Sequence, residues 1–77
     1  MIVITIEGGI IQGISSDDPV DQGKDVAVIE YETEWANPKK VHKVPQGKGE
    51  TTDATIERAK VGVLFRPVAK YLKTARF

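Results

Sequence analysis

The sequence has no cysteine in its 77 residues, and His42 is its only histidine. Disulfide bonds and thiolate metal sites are therefore excluded. One histidine does not by itself build a histidine metal centre. The sequence accordingly predicts neither a metal site nor a cofactor.

Long apolar runs are also missing. No segment approaches the roughly 20 apolar residues that cross a bilayer. The apolar start, residues 1–6, lacks the basic residues and the length of a signal peptide. We therefore expect a cytoplasmic protein without a membrane partner.

A chain this short leaves room for one domain, predicted over residues 1–77. Such a domain buries only about 60–65% of the surface that its unfolded chain exposes. Small domains usually add disulfides, a metal or a partner subunit to reach stability. Self-association is the remaining option here, and a dimer is its favoured form.

Bases are scarce in the first half of the chain and acids are scarce in the second half, although the net charge is zero. Residues 1–38 contain eight acids and one base, whereas residues 39–77 contain ten bases and three acids. Either the basic half neutralises the acidic half, within a chain or across a dimer, or it binds a polyanion such as nucleic acid. The first interpretation is favoured because the two charges cancel and the domain is not net basic. The polyanion alternative would use Lys39, Lys40, Lys43, Arg66, Lys70, Lys73 and Arg76.

The N-terminal pattern predicts a β-hairpin. Isoleucines alternate along residues 2–7, a second β-rich run covers residues 10–14, and Gly8-Gly9 lies between them. Two glycines suit a type I′ turn, which needs positive φ at both positions. The expected register pairs Ile6 with Ile11, Ile4 with Gly13, and Val3 with Ile14. Both faces of this hairpin are apolar, so each must be covered at least in part.

The remaining pattern predicts an α+β fold. A third strand is expected over residues 26–32, and residues 36–52 are expected to form a loop with a short edge strand at Val41–Val44. Residues 53–77 are predicted to be helical, with Asp53 near the start and a kink or break near Pro67. The sheet would then have three or four antiparallel strands, with residues 1–35 supplying the hairpin and the third strand.

Chemical motifs are weak. Residues 46–52 superficially resemble a phosphate loop, but Lys48 is followed by glycine and the position expected to hold an earlier glycine is His42. His42 has no nucleophile beside it in the sequence. The alternating acids at Glu30, Glu32 and Glu34 fit a solvated strand face or a row of ion pairs. We therefore expect no catalytic residues and no enzymatic activity.

The first 35 residues carry a resemblance. The run Ile4–Ser15, the triplet Asp17-Asp18-Pro19 and the strand Val26–Glu32 resemble the start of small uncharacterised bacterial proteins of phage, plasmid and integron-cassette type. That family has no assigned activity, so the resemblance implies no site residues. It implies an accessory or interaction protein of a mobile genetic element. The basic C-terminal half departs from the acidic tails of that pattern.

These observations predict a non-catalytic protein-interaction module that self-associates. The contact is expected on the second apolar face of the hairpin, at the single tryptophan, or on the segment after Pro67. The residues concerned are Val3, Ile10, Ile14, Trp35, Val68, Tyr71 and Leu72.

Overall fold

The computed structural model describes residues 1–76, which form two small sheets and one helix. The elements in chain order are β1 (Ile2–Glu7), β2 (Ile10–Ser16), β3 (Asp25–Glu30), a 3₁₀ turn (Pro38–Lys40), β4 (Val41–Gly47), β5 (Glu50–Lys60), β6 (Gly62–Val63) and α1 (Arg66–Thr74). One sheet has the order β1-β2-β6 and the other β3-β5-β4. The α+β class is confirmed, but two three-stranded sheets replace the single sheet that was predicted.

The contacts of the chain divide it into two compact units. The first contains residues 1–26 together with the chain from Ala59 onwards, and the second contains Ala27–Arg58. The first unit thus holds β1, β2, β6 and α1, whereas β4 and most of β3 and β5 belong to the second.

The predicted N-terminal hairpin is present. Gly8 and Gly9 have φ values of 57° and 78°, the left-handed conformation that the turn requires. The register departs from expectation at a β-bulge, where Thr5 pairs with Gly13, Ile6 pairs with Ile11, and Gln12 is the extra residue.

The bulge changes which residues share a face of the hairpin. Ile4 lies opposite Ile14 rather than Gly13, and Val3 lies opposite Ser15. Opposed residues point to the same side of a sheet, and a one-residue slip exchanges the two sides. The prediction that Ile14 shares a face with Val3 and Ile10 was therefore wrong.

The helix predicted from Asp53 is also wrong over its first part, because Glu50–Lys60 is a strand. Its hairpin with β4 turns at Lys48 and Gly49, which both have positive φ. Strand β4 begins at the predicted edge strand and continues to Gly47. Asp53, expected near a helix start, instead lies opposite Lys43 and forms a cross-strand ion pair with it.

Helix α1 is therefore short, from Arg66 to Thr74. Pro67 lies in its first turn, where the missing N–H removes no helical hydrogen bond and the fixed φ suits the helix. The proline thus marks the start of a helix instead of kinking a longer one. Phe77 lies outside the described residues.

The cores are thin in both units. The side chains that are almost fully buried are Ser16, Val61 and Leu64 in the first unit and Ala54 in the second. Backbone hydrogen bonds join residues 61–64 to the end of β2 and to the loop after it: the Gly23 N–H donates to the Val61 carbonyl at 2.7 Å, and the Leu64 N–H donates to the Ser16 carbonyl at 3.0 Å. Few large apolar side chains are therefore sheltered within each unit.

Candidate interaction surface

Both units expose large apolar side chains. In the first unit they include Ile10, Val20 and Val63, and in the second they include Trp35. Exposed apolar side chains that lie next to one another mark candidate interaction surfaces.

The most regular exposed apolar feature is β1. It lies at the edge of its sheet, and among residues 1–76 it pairs only with β2. Ile2, Ile4 and Ile6 alternate along it and point to one face, with exposures of 49%, 55% and 62%. The β2 residues paired with Ile4 and Ile6 are Ile14 and Ile11, and both are half-buried. We call these five side chains the isoleucine face.

The outer edge of β1 carries none of the usual protection against pairing. Natural edge strands are blocked by lysine, proline, bulges or inward charges. Between Ile2 and Ile6 there is no charge and no proline, and the bulge of the hairpin has its extra residue in β2. An edge of this kind is a ready template for another strand.

The loop that follows β2 is fixed by polar contacts around Ser16. The Ser16 hydroxyl donates to the Asp21 carboxylate at 3.1 Å and accepts from the Asp18 N–H at 3.0 Å. The Gln22 amide donates to the Ser16 carbonyl at 3.0 Å. The hydroxyl and the carbonyl of this fully buried serine thus have hydrogen-bond partners within the protein. These bonds offset the cost of burying a polar side chain.

Asp17 ties the start of β1 and the helix to this loop. Its carboxylate accepts a hydrogen bond from the N-terminal ammonium at 2.9 Å and lies 3.7 Å from the Lys73 ammonium. The bond from the N-terminal ammonium lowers the pKa of Asp17, and the same bond raises the pKa of that ammonium. The isoleucine face is therefore held at one end by an ion-pair network.

The interface residues predicted from the sequence are only partly brought together. Val3 and Ile10 lie on the hairpin face opposite the isoleucine face, with Val3 half-buried and Ile10 66% exposed. Ile14 belongs to the isoleucine face. Trp35 is in the second unit and is 93% exposed.

The residues predicted after Pro67 form one side of α1. Val68 and Tyr71 are 40% and 63% exposed, and Leu72 is half-buried. Helical spacing places these three on one arc of α1, and Arg66, Lys70 and Lys73 on the opposite arc. The helix is thus amphipathic, with an apolar side that the first unit covers only in part.

The seven basic residues predicted to bind polyanions are divided between the two units. The second unit contains Lys39, Lys40 and Lys43, and the first contains Arg66, Lys70, Lys73 and Arg76. Lys43 is paired with Asp53, and Lys73 lies near Asp17. A second link between the acidic and basic halves of the sequence joins Lys60 to Asp25 at 2.7 Å. Part of the basic charge is therefore neutralised within the chain.

The second unit has open clefts beside the turn at residues 36–40. One of about 380 Å³ is lined by residues that include His42, Lys43 and Asp53. The Asp53 carboxylate there is engaged by Lys43. Within residues 1–76, no three histidine, cysteine, aspartate or glutamate side chains are grouped to hold a metal ion.

The sequence signals for the missed residues were present but ambiguous. Ile2, Ile4 and Ile6 were recognised as a strand, yet the contact was assigned to the other face. Gln12, a polar residue within an apolar run, is the position where the ladder shifts, and a bulge there would have exchanged the faces.

Comparison with known proteins gives no relative from which a role could be transferred: the chain matches no family model, no curated protein and no solved structure. In the part of the chain that the structure describes, no helix has both the length and the apolar character to cross a membrane.

Proposed function

We propose that this protein is a non-catalytic interaction module that self-associates as a dimer through β1 and the isoleucine face. The observation that carries the proposal is the combination of three exposed isoleucines with an unprotected sheet edge. A second copy of the chain pairs with this edge through its own β1 and places its isoleucines beside those of the first copy.

The apolar, β-branched character of β1 supports this proposal. Apolar burial contributes about 25 cal/mol per Å², but association also costs several kcal/mol of translational and rotational freedom. An interface therefore needs a well-packed apolar centre more than a large perimeter. Branched side chains on a regular strand supply such a centre, since they lose little side-chain entropy when they pack.

The first test is the oligomeric state of the purified chain. We expect light scattering at micromolar concentration to give twice the chain mass of 8.5 kDa. A variant with Ile2→Thr, Ile4→Thr and Ile6→Thr should shift the equilibrium to monomer, because threonine keeps the β-branch but removes apolar area.

The matched control changes three other exposed apolar residues of the first unit, outside the isoleucine face. These are Val20, Val63 and Phe65, at 71%, 76% and 70% exposure, each replaced by threonine. The control should remain dimeric. A wild-type chain that stays monomeric at tens of micromolar would contradict the proposal.

The second candidate is polyanion binding through α1, and one observation favours it. Arg66, Lys70 and Lys73 have the spacing of a single helical stripe. Phosphate contacts would make the affinity for DNA fall steeply with salt, with a slope of about −0.9 per phosphate neutralised. Arg66→Gln with Lys70→Gln should reduce that slope by about two. A salt-independent signal, or none, would remove this candidate.

The expectations of a cytoplasmic location and an origin in mobile genetic elements stay predictions. The resemblance of the first 35 residues supports the origin in mobile genetic elements, and inspection of the genes beside the coding sequence would test that origin.

A further inference from the structure

The sequence of β1 is nearly palindromic, and this determines how two copies can meet. Around Ile4 the order is Ile2-Val3-Ile4-Thr5-Ile6, so isoleucines and similarly shaped β-branched residues are placed symmetrically. Resting on the proposed self-association, we infer that two β1 strands pair antiparallel about a two-fold axis at Ile4. The β1-β2-β6 sheets of the two copies then join into one sheet of six strands.

The register follows from the alternation of side chains. With Ile4 opposite Ile4 of the second copy, Ile2 lies opposite Ile6 and Val3 lies opposite Thr5. Directly opposed residues share a face, so all six isoleucines form one continuous surface. A shift of one residue would place isoleucines beside Val3 and Thr5, and a shift of two would leave one isoleucine of each strand unpaired.

The outward-pointing backbone groups of β1 are suited to the same partner strand as its side chains. Every second N–H and C=O of an edge strand points away from its sheet and lacks a ladder partner. Antiparallel pairing of β1 satisfies these groups while it brings the isoleucines of the two copies into contact side by side on one face. The symmetric arrangement is also closed, so it ends at a dimer and leaves no further edge of this kind.

Of the other edge strands, β6 has only two residues, and β4 and β3 fit self-pairing poorly. Strand β4 contains Lys43 and Pro45, and a proline cannot donate to a ladder. Strand β3 begins with Asp25 and ends with Glu30. Symmetric antiparallel pairing of β3 would place these two acids opposite each other, which is destabilising. In β1, Glu7 is the only charged side chain, and the inferred register places it opposite Met1.

Cysteine substitution tests this register directly, because the natural chain has no cysteine. Opposed Cα atoms in an antiparallel pair are about 4.5–5.5 Å apart, within the range of about 4.4–6.8 Å that a disulfide spans. Ile4→Cys alone should therefore form a covalent dimer under mild oxidation, seen on non-reducing gels. Position 4 is half exposed, so the substitution leaves the core intact.

The flanking positions report the direction and register of pairing. Ile2→Cys or Ile6→Cys alone should not cross-link, because each position lies about 14 Å along the strand from its own copy. An equal mixture of these two variants should give a covalent heterodimer. Val20→Cys, 71% exposed and outside β1, measures the rate of random collisional cross-linking.

The outcomes separate this inference from the proposed function. If light scattering shows a dimer but Ile4→Cys cross-links no faster than Val20→Cys, the β1 pairing is wrong and self-association stands. If Ile2→Cys cross-links with itself, the register is wrong. If the wild-type chain is monomeric, as it would be if β1 receives a strand from a different protein, both the inference and the proposed function fail.

Discussion

Strands β1 and β4 are both sheet edges, yet they differ in how they meet solvent. β4 carries Lys43, whose ammonium pairs with Asp53 across the ladder, and Pro45, which has no N–H. β1, which is one residue shorter, presents alternating isoleucines without a charge before Glu7. Because unprotected edges promote pairing with other strands, this difference is what the proposed pairing of β1 with a second copy requires.

The largest expected effect comes from giving β1 the protection that β4 has. Ile4→Lys should weaken dimerisation about a hundredfold, since two lysines would face each other across the two-fold axis and two isoleucines would be lost. Sedimentation equilibrium would measure the dissociation constant. Val20→Lys adds the same charge away from the face and should leave the constant unchanged. An equal effect of both variants would mean that net charge, not the edge, controls assembly.

The reverse change should give β4 the properties of β1. Replacing Lys43 and Pro45 by valine makes a continuous β-branched edge and restores a backbone donor. We expect species larger than a dimer to appear with rising concentration in light scattering. Lys39→Val removes a lysine that lies outside any strand and should leave the mass unchanged. If the double variant keeps the wild-type mass, charge and proline are not what protects β4.

How far the sequence predicted the structure differs between the two hairpins. Gly8-Gly9 and the alternating isoleucines predicted the first hairpin because the signals are local. The second was missed because Asp53, Ile56 and Val63 also fit a helix with an acidic start. Its turn signal, Lys48-Gly49, and the run of threonines nearby favoured a strand instead, and the pairing with β4 decided the outcome.

The sequence predicted an exposed apolar surface on the first hairpin, but it assigned the contact to the face opposite the isoleucine face. The short chain and its alternating pattern predict an apolar hairpin that the rest of the chain covers incompletely. In the structure, isoleucines of this hairpin are exposed. Which residues share a face depends on the bulge at Gln12. The extra residue exchanges the two faces for the part of β2 that follows it. A bulge reflects the twist and packing of the pair, which a single sequence does not specify.

A smaller effect is expected from the turns of the two hairpins. Gly9 and Gly49 have φ values of 78° and 77°, so alanine at either position should lower the free energy of unfolding by about 1 kcal/mol. Urea denaturation at one fixed protein concentration would measure it. Gly13→Ala is the control, because Gly13 has ordinary φ and a Cβ there would meet nothing within 4 Å. Equal losses at all three positions would contradict the role assigned to the turns.

The smallest expected effect concerns the ion pair that holds the start of β1. The lowered pKa of Asp17 means that its carboxylate stabilises the fold above the ordinary aspartate pKa, and that this contribution is lost as pH falls through the lowered folded-state value. The ammonium has the opposite sign: its contribution is present below its ordinary pKa and is lost as pH rises through the raised value.

Asp17→Asn should therefore reduce stability most near neutral pH and flatten the dependence at both ends. Urea midpoints in acidic, neutral and alkaline buffers would measure the difference from wild type. The effect should be small, because the groups are solvent-accessible and salt screens them. A difference that stays constant across all three buffers would show that Asp17 acts through packing of the loop and not through its charge. The start of β1 would then depend on the hydrogen bonds around Ser16 more than on the charge of Asp17.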